Sequence, residues 1–273
     1  MTDHLPSDRA VEVRGLEICT RRRPGPHTPP LLLINGLGGS LTSWDPLLEQ
    51  LPERDVIMVD SPGAGRSSTP TLPILVPALA DVIAEVVGEL GVGTVDVLGY
   101  SHGGTIAQEL ARRHPATVRK LILTATMFGL GALPVPLKAH RTLLSTARFR
   151  DRAVMVRDMA RLAGGRSARE PELLANLLGT RESHPPSTRG YYYQQLSLIG
   201  WSSWLWLGRL RCRTLVLHGA ADPVVPQLNA RLMAWRIPNA RLELVADAGH
   251  LLLFDEAATA GRIISEFLDD DSR

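Results

Sequence analysis

Short runs of apolar, often β-branched residues recur along this chain, and most are followed by a stretch with helical spacing. The runs are Leu31–Ile34, Val56–Val59, Val95–Leu98, Leu121–Leu123, Leu215–Leu217 and Leu242–Val245. A continuous apolar run of this length suits a strand covered on both faces, as in a parallel sheet. Val11–Val13 and Leu16–Thr20 read as two further strands around a turn at Gly15, and RRRPGPHTPP (21–30) as a breaker-rich loop. Helical spacing occupies Val76–Leu90, Ile106–Arg113, Gln227–Arg236 and Glu256–Leu268. Strands alternating with helices imply βαβ units and an α/β fold, a mainly parallel central sheet flanked by helices. Right-handed crossovers then bring the strand C-terminal ends to one edge, where ligands bind.

The alternation stops between about residues 126 and 207. This stretch is helical in period and rich in arginine, and it ends in YYYQQLSLIGWSSWLWL (191–207), which holds six of the chain's aromatic residues. A single crossover rarely needs so many residues. The expected organisation is therefore a core of residues 1–125 and 208–273 with a helical cap of 126–207 over the sheet's C-terminal edge. Large rigid aromatics suit an apolar pocket, so Tyr193, Trp201 and Trp204, with Gly36, are the candidate pocket residues; equally, the aromatics could pack the cap onto the core.

Composition narrows the function classes. Hydrophobic residues make up 44% and charged residues 21% of 273 residues, as in an ordinary globular protein. Thirty basic residues against 28 acidic give a net charge of +2, too balanced for a nucleic-acid-binding footprint. The two cysteines, Cys19 and Cys212, form no Cys-x-x-Cys spacing, so neither a disulfide framework nor a metal site is expected. No apolar run is long enough to span a bilayer, and MTDHLPSDRA lacks the apolar region of a secretory signal. A cytoplasmic protein without cofactor is the expectation, and no oligomeric state is read from the sequence.

The chemistry concentrates in VDVLGYSHGG (95–104), where Gly99-x-Ser101-x-Gly103 sits between an apolar strand and a helix. A sharp strand-to-helix turn needs small neighbours, and it lifts the serine oxygen above the sheet. A serine of ordinary pKa needs a base. His250, in ADAGHLLLF (246–254), follows the run Leu242–Val245 and so lies on the same edge. Asp222, in HGAADPVVP (218–226), is placed to orient the imidazole, with Asp247 as a rival and His218 read as structural in the turn. The chain order Ser101, Asp222, His250 is one of the known orders for this type of relay. Oxyanion donors are assigned to the backbone N–H groups of Leu37, in LLLINGLGGS (31–40), and His102. Asp60 in DSPGAGRS (60–67) is read as a loop organiser.

With these segments in family order, the chain resembles the α/β-hydrolase superfamily over nearly its whole length. PLLLINGLGG (30–39), PPSTRGYYYQQLSLIGWSSWLWLGRL (185–210) and VVPQLNARLMAWRIPNARL (224–242) most resemble intracellular poly(3-hydroxyalkanoate) depolymerases and related serine esterases. The resemblance departs at GYSHGG, where His102 stands in place of the depolymerases' tryptophan. It implies a serine hydrolase cleaving carboxylic esters, with a small-molecule or oligomeric ester as partner. Two alternatives stay open: perhydrolysis or carbon–carbon bond hydrolysis on the same residues, and a non-catalytic ligand receptor.

Overall fold

The computed structural model describes residues 8–179 and 184–270. The N-terminal stretch read above for a signal, including His4, lies mostly outside the described residues. The strands are β1 (Asp8–Val13), β2 (Leu16–Arg23), β3 (His27–Ile34), β4 (Arg54–Val59), β5 (Val95–Tyr100), β6 (Val118–Thr124), β7 (Arg213–Gly219) and β8 (Ala240–Val245). They form one sheet in the order β1-β2-β4-β3-β5-β6-β7-β8. β2 runs antiparallel to β1 and β4, and every other pairing is parallel. The breaker-rich loop is shorter than expected: residues 24–26 turn, and Pro29 and Pro30 lie inside β3. They are tolerated there because the register with β4 shifts between His27 and Leu31, where no ladder amide is required of them.

Period-two alternation sends each central strand's side chains to two separate cores. Leu32, Ile34, Ile57, Val59, Val97, Leu121, Leu123 and Val216 enter one core; Leu31, Leu33, Val56, Met58, Leu98, Ile122, Leu215 and Leu217 enter the other. The helices before the insertion are α1 (Asp45–Leu48), α2 (Val76–Glu89) and α3 (His102–Arg113). Between β6 and β7 come α4 (Leu137–Leu144), α5 (Arg152–Ala163), α6 (Gly165–Arg169), α7 (Pro171–Gly179) and α8 (Thr188–Leu196). The chain closes with α9 (Gln227–Arg236), α10 (Leu252–Asp255) and α11 (Ala257–Asp269). α2, α3 and α9 cover the first face of the sheet and α1, α10 and α11 the second. The α/β architecture with a helical insertion is thus the one the sequence implied. Among the described residues no helix is long and apolar enough to cross a membrane.

Candidate active site

Ser101 follows β5 directly and is the N-cap residue of α3 at φ +52° and ψ −117°, a conformation that a non-glycine residue adopts only under constraint. The constraint is visible. Ser101 N donates to Thr124 O at 2.9 Å, and Ser101 O accepts from Gly104 N at 2.9 Å and Thr126 Oγ1 at 2.7 Å. Bulk is excluded on both sides of the turn. A Cβ on Gly99 would lie 2.5 Å from Gly103 O, and one on Gly103 only 2.1 Å from Ile34 O. Both obstacles are backbone, so neither gives way cheaply. Gly103→Ala is therefore expected to cost about 3 kcal/mol or more, by overpacking against the β3 carbonyl. Thermal unfolding checks this, with a Tm drop of roughly 6–12 °C.

The loops after β7 and β8 bring two more side chains to the same edge. Asp222 Oδ1 accepts from Val224 N at 2.7 Å and Val225 N at 2.9 Å, which leaves Oδ2 for His250 Nδ1 at 2.8 Å. An ionised carboxylate only accepts, so Nδ1 carries the proton and Nε2 is the acceptor that faces Ser101 Oγ at 3.1 Å. The Asp222 side chain is wholly buried, and that of His250 is 10% exposed. Tyr100 holds His250 from below, donating its hydroxyl to His250 O at 3.0 Å with ring centroids 5.4 Å apart. His218 Nε2 donates to Val225 O at 2.9 Å, and burial pushes its pKa down, so it stays neutral beside Asp222. That is the structural part expected of it. Asp247 is exposed, at φ +58°, and takes no part in the contact.

The insertion reaches into this cluster. Ala163 O, at the end of α5, accepts from His250 N at 2.6 Å. Gly164 and Gly165, both at positive φ, pass so close that a Cβ on either would meet backbone: Ala221 O at 2.5 Å for Gly164, and Asp247 O at 2.5 Å for Gly165. Only glycine fits such an approach in this conformation.

The loop after β3 shows why Leu37 stands apart from its neighbours. Gly36 N donates to Asn35 Oδ1 at 2.8 Å, Gly38 N to Gln194 Oε1 at 2.9 Å and Gly39 N to Gly36 O at 3.1 Å. Among the described residues the Leu37 amide has no acceptor, and neither has the His102 amide at the N-terminus of α3. Gly36 lies against the serine, since a Cβ there would be 3.1 Å from Ser101 Cβ. Behind the loop, Asp60 accepts from Leu41 N at 2.8 Å and Arg66 N at 2.9 Å, the loop-organising part expected of it. Burial raises its pKa to about 6.

Gln194, on α8, was not foreseen. It receives Gly38 N and donates Nε2 to Pro62 O at 3.2 Å, tying the insertion to the glycine loop. Its one sequence signal is a polar residue at a buried position within an aromatic helix. A second serine–histidine contact lies alongside: His102 Nε2 sits 2.7 Å from Ser197 Oγ. Ser197 donates its proton to Gln194 O at 2.6 Å, so the imidazole is the donor of this pair. No carboxylate joins it among the described residues, and full burial lowers the His102 pKa to about 4.

A cavity of about 350 Å³ opens above Ser101 and His250. Gly36 and Leu37 line it, as do Phe149, Met155, Met159, Leu162 and Leu178 of the insertion. Tyr193, Trp201 and Trp204 do not, which corrects the sequence reading of the pocket. Tyr193 donates its hydroxyl to Thr71 O at 3.1 Å, and Trp201 donates Nε1 to Glu109 at 3.0 Å. Trp204 packs on Phe128 and Trp235 at 4.8 and 6.3 Å between centroids. These rings serve where the insertion rejoins the core, and the cavity wall instead comes from the Met155, Met159, Leu162 stripe on α5. That stripe, at helical spacing inside an arginine-rich segment, is the signal that identifies the wall.

Comparison with known proteins gives a consistent picture. The sequence profile of the family described as alpha/beta hydrolase fold matches residues 29–257. A poly(3-hydroxyalkanoate) depolymerase from Ectopseudomonas oleovorans is 39% identical over 265 residues, which cover 96% of this chain and 93% of that protein. A thermophilic esterase from Thermogutta terrifontis, solved with malate bound, superposes with a TM-score of 0.79 at 26% identity over 96% of this chain and 98% of that one. A meta-cleavage product hydrolase from Pseudomonas fluorescens IP01 gives a TM-score of 0.83 at 20% identity, covering 97% and 98%, a likeness of fold alone.

Proposed function

The chain belongs to the α/β-hydrolase family, and we propose that it hydrolyses carboxylic esters of the hydroxyalkanoate type through an acyl-enzyme on Ser101. The observation that carries this reading is the continuous relay Asp222–His250–Ser101, at 2.8 and 3.1 Å, opening onto a cavity with an apolar wall on α5. The named activity of the depolymerase relative supports the ester class.

In this mechanism Ser101 Oγ attacks the ester carbonyl carbon while His250 Nε2 removes its proton. The carbonyl oxygen becomes an anion held by the N–H groups of Leu37 and His102, each worth about 3 kcal/mol of barrier. Asp222 stabilises the imidazolium, which then protonates the departing alkoxide as the C–O bond breaks. Water, giving its proton to Nε2, attacks the acyl-serine; collapse of the second tetrahedral species returns the proton to Ser101 and releases the acid. Residues 126–207 act as the cap that roofs the cavity, with α5 as its apolar wall.

The His102–Ser197 pair offers a rival nucleophile on distance alone. Its geometry opposes that use, because the serine proton points to a carbonyl and the imidazole already donates. Turnover of 4-nitrophenyl esters from acetyl to dodecanoyl, together with soluble 3-hydroxyalkanoate oligomers, tests the proposal. Medium chains are expected to be preferred over acetate by at least about tenfold, the gain from burying only about two of the added methylenes at roughly 0.8 kcal/mol each. Hydrolysis of acetate esters alone would refute the apolar cavity as an acyl site. Cleavage of dienones, or peroxide-dependent oxidation, without ester turnover would move the reading to another reaction on the same residues.

A further inference from the structure

Arg148 is a cation set into the wall of this cavity with no carboxylate within ion-pair distance among the described residues. It lies between α4 and α5, is 3% exposed, and lines the space above Ser101. Its Nη1 donates to Thr142 O at 2.7 Å and Ser145 O at 2.6 Å, and its Nη2 to the Tyr191 hydroxyl. A guanidinium has five N–H groups. The Nε–H and the second Nη2–H meet no acceptor among the described residues, and no carboxylate there comes within ion-pair distance. Arg54, comparably buried, is by contrast paired with Asp269 at 2.5 Å. Arg23 is also held by carbonyls, but it is only part-buried and does not line this cavity.

The position relative to the reacting centre is fixed by two rings. The guanidinium stacks on Phe149 at 4.6 Å and Tyr191 at 4.9 Å from their centroids. A Cβ on Gly38 would touch those same rings, at 3.1 Å from Phe149 Cζ and 3.2 Å from Tyr191 Cδ2. Arg148 is therefore one ring's width from the loop that carries the Leu37 amide. The lining also holds Arg150, with Thr188 Oγ1 as hydrogen-bond partner at 3.2 Å, Arg152, and Asp151, whose carboxylate is turned to the start of α5 and accepts from Val154 N at 3.0 Å.

Burying a charge is costly unless it is paired, and a guanidinium's free edge matches a carboxylate bidentately. We propose that the cavity selects esters bearing a free carboxylate, received by the open N–H edge of Arg148. The proposal rests on the serine-esterase reading and names its substrate class: medium-chain esters that carry a free acid. A volume of about 350 Å³ suits them, being near the lower end for small-ligand sites.

The test compares each acid with its neutral primary amide. One pair is 4-nitrophenyl hydrogen suberate and the corresponding amide, with the charge on the acyl half; the other is 3-(octanoyloxy)butanoate and its amide, with the charge on the alcohol half. In at least one pair the wild-type enzyme is expected to favour the acid about tenfold in kcat/KM, mainly through KM, as a charge-assisted bidentate contact provides. The favoured pair shows which half of the ester faces Arg148. In Arg148→Met the acid-to-amide ratio falls to about one, and Arg148→Lys restores part of it. Equal treatment of acid and amide in both pairs by the wild type overturns the proposal, whether or not the methionine variant folds. Survival of the ratio in a folded Arg148→Met also overturns it. Failure to cleave any of the four compounds overturns the proposal if 4-nitrophenyl octanoate is still hydrolysed, and removes the esterase reading itself if it is not.

Discussion

Replacing Ser101 by alanine is expected to lower kcat/KM on 4-nitrophenyl octanoate by about 10⁴-fold or more, with Tm within about 2 °C of the wild type. The size follows from the chemistry. Without Oγ no acyl-enzyme forms, and only the donors of the glycine loop and α3 remain to assist direct attack by water. The small effect on stability follows from the contacts. Every constraint on residue 101 runs through its backbone, from Thr124 O, Gly104 N and Thr126 Oγ1, so alanine keeps the elbow. The same substitution separates the two serine–histidine contacts. A nucleophile at Ser197 would leave the Ser101→Ala enzyme active.

Asp222→Asn is expected to lower kcat by about 10⁴-fold with little change in KM, through the tautomer of His250 and not through the loop. The asparagine oxygen is able to keep the bonds from Val224 N and Val225 N, so the turn after β7 survives. Its amide then faces His250 Nδ1 as a donor, across the 2.8 Å now spanned by Nδ1–H and the carboxylate. Nδ1 must become the acceptor and the ring proton moves to Nε2, which no longer takes a proton from Ser101. The negative charge that steadies the imidazolium is lost as well. Steady-state kinetics with a circular dichroism control measures this, and the double variant with Ser101→Ala should be no slower than Ser101→Ala alone, because the residues act as one unit.

The sheet, the elbow and the candidate trio were legible because each rests on local pattern. Apolar runs such as Leu31–Ile34 mark strands buried on both faces, and their ends mark the edge where Ser101, Asp222 and His250 gather. The pocket was misread because burial of an aromatic does not say what buries it. Trp201 and Trp204 pack where the insertion rejoins α3 and α9, while the cavity is walled by α5. Gln194 and the Gly164–Gly165 passage carry little sequence signal for a related reason. Their importance lies in approaches between segments distant in sequence, to Gly38 N in one case and to Ala221 O and Asp247 O in the other. The prolines of β3 were read as loop because local preference says nothing of a register shift that spares their missing amides.

The whole account stands on Ser101 being the activated hydroxyl. Reaction of the native protein with a fluorophosphonate, followed by peptide mass spectrometry, reads this directly, since only a serine with a working base is phosphonylated at an appreciable rate. The account predicts one adduct per chain, on Ser101, slowed at least about 10³-fold in Asp222→Asn. An adduct on Ser197, or no adduct on protein that remains folded, would contradict it.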